Sequence, residues 1–170
     1  MQLKSLEDTQ NFSKNISKIV SAGDIIFLYG DIGVGKTTFV RFFINHLENK
    51  YGIKNSDVLS PTFNIVYDYD VGNIKILHYD LYRLKNYKDI SQLGMFETSH
   101  EHIKIVEWPE LIDQEYRISL YRPTLLLTIE WKNPENEYVK KIFPNGRTFY
   151  SCSYPKKKKK KKYKKPKNKI

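Results

Sequence analysis

The sequence has a single cysteine, Cys152, so an intrachain disulfide and any site built on two thiolates are excluded, and a reducing compartment is the expected setting. It has no apolar run approaching the ~18–20 residues that cross a bilayer. Nor does Met1–Asn15 contain the apolar stretch of a secretory signal, which points to a soluble, cytoplasmic protein with no membrane partner. The body of the chain also lacks an excess of positive charge. The formal net charge is +10, yet of the 29 Lys and Arg residues 11 lie in residues 156–170, a segment without acids, leaving 18 against 19 Asp and Glu elsewhere. A near-neutral body supplies no broad field for a polyanion, so any electrostatic grip on nucleic acid falls to the tail alone.

A chain of 170 residues suits one domain, long enough to bury about 70% of its unfolded surface. We place that domain at residues 1–150, followed by a lysine-rich tail, 151–170, whose charge opposes collapse and predicts disorder. The run Lys156–Lys162 either grips RNA phosphates or an acidic partner surface, or is the trace of a slipped adenine tract. No internal repeat is visible. Ser5 and Asp8 form a capping pair ahead of Phe12, Ile16, Ile19 and Val20, which recur at helical spacing and predict a helix over Leu6–Val20. Asp24–Tyr29 is the short, nearly continuous apolar run of a buried parallel strand, and Lys36–Leu47 keeps helical period without Gly or Pro. Thr62–Tyr69 and Ile74–Tyr79 read as a hairpin around Asp70–Asn73, and Ile103–Val106 as a further strand. Leu125–Trp131 and Tyr138–Phe143 read as a second hairpin around Asn133–Asn136. Strand, loop and helix followed by hairpins predict an α/β fold with a mixed sheet.

Between the first strand and the second helix, Gly30-Asp-Ile-Gly-Val-Gly-Lys-Thr37 fits G-x-x-x-x-G-K-[ST] at every fixed position. Glycines let backbone N–H groups curl into an anion-binding nest at a helix N-terminus. Lys36 reaches the outer phosphates, and the Thr37 hydroxyl takes a Mg²⁺ position. This chemistry also asks for a carboxylate at the C-terminal end of a neighbouring strand. Asp80 and Glu107 both qualify, one to hold Mg²⁺ directly or through water and the other to polarise the attacking water. Thr62, in Ser60-Pro-Thr-Phe63, is placed either to sense the γ-phosphate or simply to sit in a proline turn. Trp108 is either a lid on the nucleotide or plain core. His100-Glu-His102 has no third ligand nearby and reads as a polar loop.

Taken in order, Thr9, Gly30–Phe39, Ser60–Phe63, His78-Tyr-Asp-Leu-Tyr-Arg-Leu84, Leu93-Gly94 and Val106-Glu-Trp-Pro-Glu110 closely resemble the TsaE (YjeE) family across roughly Ser5–Trp131. The segment Met95–His102 departs from the family pattern, and the lysine tail has no counterpart in it. The resemblance implies a P-loop NTPase-like three-layer α/β fold with a mixed, partly antiparallel central sheet. It also implies weak Mg²⁺-dependent ATP hydrolysis in the service of tRNA threonylcarbamoyladenosine formation, alongside the TsaB and TsaD proteins, with tRNA met indirectly or through the tail. Carried over by position, Gly33, Val34, Gly35, Lys36, Thr37 and Thr38 hold the phosphates. Thr37 and Glu107 bind Mg²⁺, and Asp80 acts in hydrolysis or through metal-bound water. Thr62 and Trp108 join the nucleotide-sensing shell, and Thr9 lies near the base. Two other classes share the P-loop. A GTP switch would need a guanine-reading [NT]-K-x-D motif, which the sequence lacks. A small-molecule kinase would need an acceptor pocket and an arginine lid, for which Arg83, Arg117, Arg122 and Arg147 are the candidates.

Overall fold

Ser5 opens the first helix in the computed structural model, which describes residues 3, 5–95, 101–115, 125–132 and 149–155. Its hydroxyl accepts from the Asp8 N–H at 3.0 Å while Asp8 accepts from the Ser5 N–H at 2.9 Å, the reciprocal capping box expected from the sequence. The helix α1 spans Leu6–Ser17, three residues short of the predicted end. The Ser17 hydroxyl turns back to the Lys14 carbonyl, and the Ser21 N–H donates to Asp24 at 2.7 Å, so the chain is already turning toward the sheet.

Strand β1, Ile25–Tyr29, feeds the glycine loop and then α2, Lys36–Lys50, which runs three residues past the predicted Leu47 and stops at Tyr51-Gly52. The hairpin follows as β2, Val66–Val71, and β3, Ile74–Asp80. Its turn needs Gly72 twice over: φ is 63°, and a Cβ there would lie 2.7 Å from the Tyr51 ring. β2 starts four residues later than predicted, because Ser60 and Thr62 turn their hydroxyls to Asp80 instead of joining a ladder. A short helix α3, Tyr87–Ser91, then β4, His102–Glu107, and α4, Glu110–Glu115, follow.

The sheet order is β2-β3-β4-β1 and then β5, Leu125–Lys132, and β6, Phe149–Pro155. β2 is antiparallel to β3 and every other pairing is parallel, so the sheet is mixed as predicted. β5 pairs with β1 on one edge and with β6 on the other, and the second arm of the expected second hairpin, Tyr138–Phe143, lies outside the described residues. β6 was not foreseen and crosses position 150, where the sequence reading puts the domain boundary; the lysines from 156 onward lie outside the described residues.

Alternation along the strands builds two cores and hence three layers. Ile26 and Leu28 of β1, Ile76 of β3 and Ile103 and Ile105 of β4 face α1 and α2. Phe27, Leu77, Tyr79 and Val106 point to the opposite face, against Ile90 of α3 and Ile112 of α4. On the first face Phe39 joins the two helices, its ring 5.7 Å from Phe12 and 6.2 Å from Phe43. Phe39→Ala is expected to lower unfolding free energy by about 3–5 kcal/mol, read as a lower urea midpoint at unchanged slope.

Candidate functional site

The glycine loop leaves β1 and enters α2 with Gly30, Gly33 and Gly35 at φ of 132°, 78° and 108°. Gly35 is the N-cap of α2 and gives it no side-chain cap, so the first N–H groups of a four-turn helix face the cleft with their partial positive charge available to an anion. A side chain at Gly35 would be forced into a conformation that L-residues resist.

Lys36, the first residue of α2, folds back over this loop. Its ammonium donates to the carbonyls of Gly30 at 2.6 Å and Asp31 at 3.0 Å, and lies 3.9 Å above the Trp108 ring. Burial holds its pKa below the usual lysine value, opposed by the negative charges of Glu107, Asp80, Glu110 and Asp31. The next residue, Thr37, donates its hydroxyl to Glu107 Oε1 at 2.8 Å.

The two predicted carboxylates are neighbours because β3 and β4 are in parallel register, with Asp80 opposite Glu107. They are 2% and 3% exposed. Even spacing along each strand puts both on the α2 face, with His78 one pleat below, its Nε2 2.9 Å from Glu107 Oε1. Asp80 is tied from three sides: the hydroxyls of Thr62 and, at 3.3 Å, Ser60 donate to Oδ2, and the Tyr82 N–H donates to Oδ1 at 2.9 Å. Beyond Glu107, Trp108 has φ of 58°, a left-handed conformation that its side chain and the following Pro109 both disfavour, held by the bond from its N–H to the Leu28 carbonyl.

These groups line one cleft of about 290 Å³, which takes in Gly33, Gly35, Lys36, Thr37, Thr38, Thr62, Asp80, Glu107 and Trp108 from the sequence reading. Two expected residues are not on its wall. Val34 is buried in the core beside α2, so only its backbone is available to a ligand. Thr9 is fully buried in α1, its hydroxyl donating to the Ser5 carbonyl. Ser60, Ile32 and Tyr82 line the cleft without having been assigned there; Ser60 and Tyr82 were legible as polar or aromatic neighbours of Thr62 and Asp80, whereas an exposed Ile32 carried no signal.

The donors are a hydroxyl and two carboxylates, all oxygen, which suits Mg²⁺. Among the described residues no three or more His, Cys, Asp or Glu side chains converge as a self-sufficient metal site.

The family model described as threonylcarbamoyl adenosine biosynthesis protein TsaE matches residues 3–142. A Rickettsia typhi protein named tRNA threonylcarbamoyladenosine biosynthesis protein TsaE is 39% identical over 110 residues, covering 65% of this chain and 74% of that one. Its namesake from Rickettsia bellii is 36% identical over 139 residues, covering 80% and 94%. A crystal structure of Bacillus subtilis YdiB aligns with a TM-score of 0.54 at 26% identity, over 77% of this chain and 75% of that one. With the family's model matched over residues 3–142, most of this chain, and these strand-end acids set against the glycine loop, the chain belongs to the TsaE family of threonylcarbamoyl adenosine biosynthesis proteins.

Proposed function

We propose that this protein is a Mg²⁺-dependent ATPase that serves tRNA threonylcarbamoyladenosine formation in the cytoplasm, working with TsaB and TsaD. The observation that carries the reading is the meeting of Lys36, Thr37, Asp80 and Glu107 in one cleft at the N-terminus of α2. In this reading the backbone N–H groups of Gly33–Thr38 take the phosphates, which are drawn further by the helix dipole. Lys36 exchanges two loop carbonyls for phosphate oxygens, a trade of weak acceptors for charged ones. Thr37 and Glu107, already hydrogen-bonded to each other, hold Mg²⁺, with Asp80 beside them. Bound there, Mg²⁺ neutralises charge that develops on the transferring phosphoryl group.

Asp80 is the better placed of the two acids to orient water. It is fixed by Ser60, Thr62 and the Tyr82 N–H, whereas Glu107 already faces the Thr37 hydroxyl. Thr62 thereby couples the 60–63 loop to the acid, which supports a role in sensing the γ-phosphate. Arg83 stacks on the exposed Phe63 ring at 5.2 Å and does not line the cleft, so it gives a kinase reading no arginine lid; Arg117, Arg122 and Arg147 lie outside the described residues.

Phosphate release from MgATP tests the chemistry, and loss of threonylcarbamoyladenosine from tRNA on depletion of the protein tests the pathway; an unchanged tRNA pool in cells without a paralogue would overturn the assignment. Lys36→Ala should cut hydrolysis by about two to three orders of magnitude, and Glu107→Gln should raise the Mg²⁺ requirement as well as slow turnover. Thr62→Val should leave ADP affinity unchanged and narrow the preference for ATP over ADP, measured by competition against a fluorescent nucleotide.

A further inference from the structure

His78 is a fully buried imidazole on the central part of β3, and nothing in the proposed chemistry so far uses it. Its strand register places it opposite Ile105, two residues before the Asp80–Glu107 pair, with its side chain on the same face as both acids. Nε2 lies 2.9 Å from Glu107 Oε1, and both side chains are shielded from water. A carboxylate oxygen only accepts, so Nε2 carries the proton of this bond. Nδ1 is buried and has no hydrogen-bond partner among the described residues. The one hydrogen bond that repays burying a polar ring at this core position is therefore the one to Glu107, where an aliphatic residue would otherwise pack more cheaply.

We propose that His78 is the positioning residue for Glu107, holding the carboxylate by Oε1 so that it meets Mg²⁺ in a fixed orientation. The proposal rests on the reading of Glu107 as a Mg²⁺ ligand. Among the described residues both side-chain hydrogen bonds of Glu107 fall on Oε1, one from Thr37 and one from His78. The Thr37 hydroxyl is itself a metal donor in that reading and would have to turn a lone pair to the cation while its O–H faces Glu107, whereas the bond from His78 carries no such condition. His78 then remains to restrain the rotamer of Glu107 as the ligand set changes around it. Partners of this kind, which touch a ligand and not the metal, commonly govern metal affinity while leaving other binding elements intact.

The test compares the full-length chain with His78→Leu and His78→Gln, reading the affinity of a fluorescent ADP analogue across a Mg²⁺ titration and in EDTA. Leu removes the donor; Gln places an amide N–H near the position of Nε2. His78→Leu should raise the Mg²⁺ midpoint about tenfold, leave affinity in EDTA within about twofold of wild type, and be largely rescued by Gln. An unchanged midpoint in His78→Leu, a parallel loss in EDTA, or a Gln variant as impaired as Leu would each overturn the proposal. Should His78→Leu fail to fold by circular dichroism, the Gln variant decides alone: a midpoint near wild type supports the role and a raised one overturns it. The two levels separate in the wild-type curve. Nucleotide affinity indifferent to Mg²⁺ there overturns the Mg²⁺ reading and this role with it, whereas Mg²⁺ coupling intact in both wild type and His78→Leu overturns only the role of His78.

Discussion

Two carboxylates buried side by side at the ends of adjacent parallel strands set the terms for everything around them. Asp80 and Glu107 are cross-strand partners on one face, and water is largely excluded from both. Removing a carboxylate from water costs several kcal/mol even after relaxation, and a second one beside it adds repulsion. The surroundings answer in kind. The Lys36 ammonium stands within Coulombic reach of both, the positive end of α2 faces them, and the hydroxyls of Thr37, Ser60 and Thr62 all donate toward them. The glycine loop, the 60–63 turn and the register of β3 against β4 are thus parts of one electrostatic arrangement.

Backbone strain gathers at the same place. The two non-glycine residues with positive φ among the described residues are Ile65 and Trp108. Ile65 closes the turn that carries Thr62, and its carbonyl accepts from the Asp80 N–H; Trp108 follows Glu107 directly. A β-branched residue and a pre-proline tryptophan are among the least suited to such a conformation, and each is restrained by a backbone bond to the sheet. The exit of each acid's strand, or of the loop that serves it, is therefore bent by force supplied from the core.

Much of this was legible in the sequence because it is local. The capping box at Ser5 and Asp8, the apolar run of β1, the fixed spacing of Gly30–Thr37 and the strand-end placement of Asp80 and Glu107 each depend on residues close in the chain. What was not legible depends on register between distant segments. No pattern in the chain says that Asp80 and Glu107 share a rung, that Thr62 leaves the strand to reach Asp80, or that Val34 packs into the core while its neighbours line the cleft. β6 was missed although a local signal is present: Tyr150-Ser-Cys-Ser-Tyr154 alternates apolar and polar residues after the turn signal Pro144-Asn-Gly146, and what depends on distant register is its parallel pairing with β5.

The placement of Trp108 has an optical consequence. It is one of two tryptophans in the chain, and a positive charge sits 3.9 Å above its ring in the open cleft. An ammonium so close to the indole face biases the energy of the excited state, whose charge is distributed differently from that of the ground state. Any ligand that draws Lys36 away toward its own oxygens lifts that bias. The protein thus contains a native chromophore set against the lysine to which the proposed function gives the phosphate, and under that reading its emission colour gauges occupancy with no attached label.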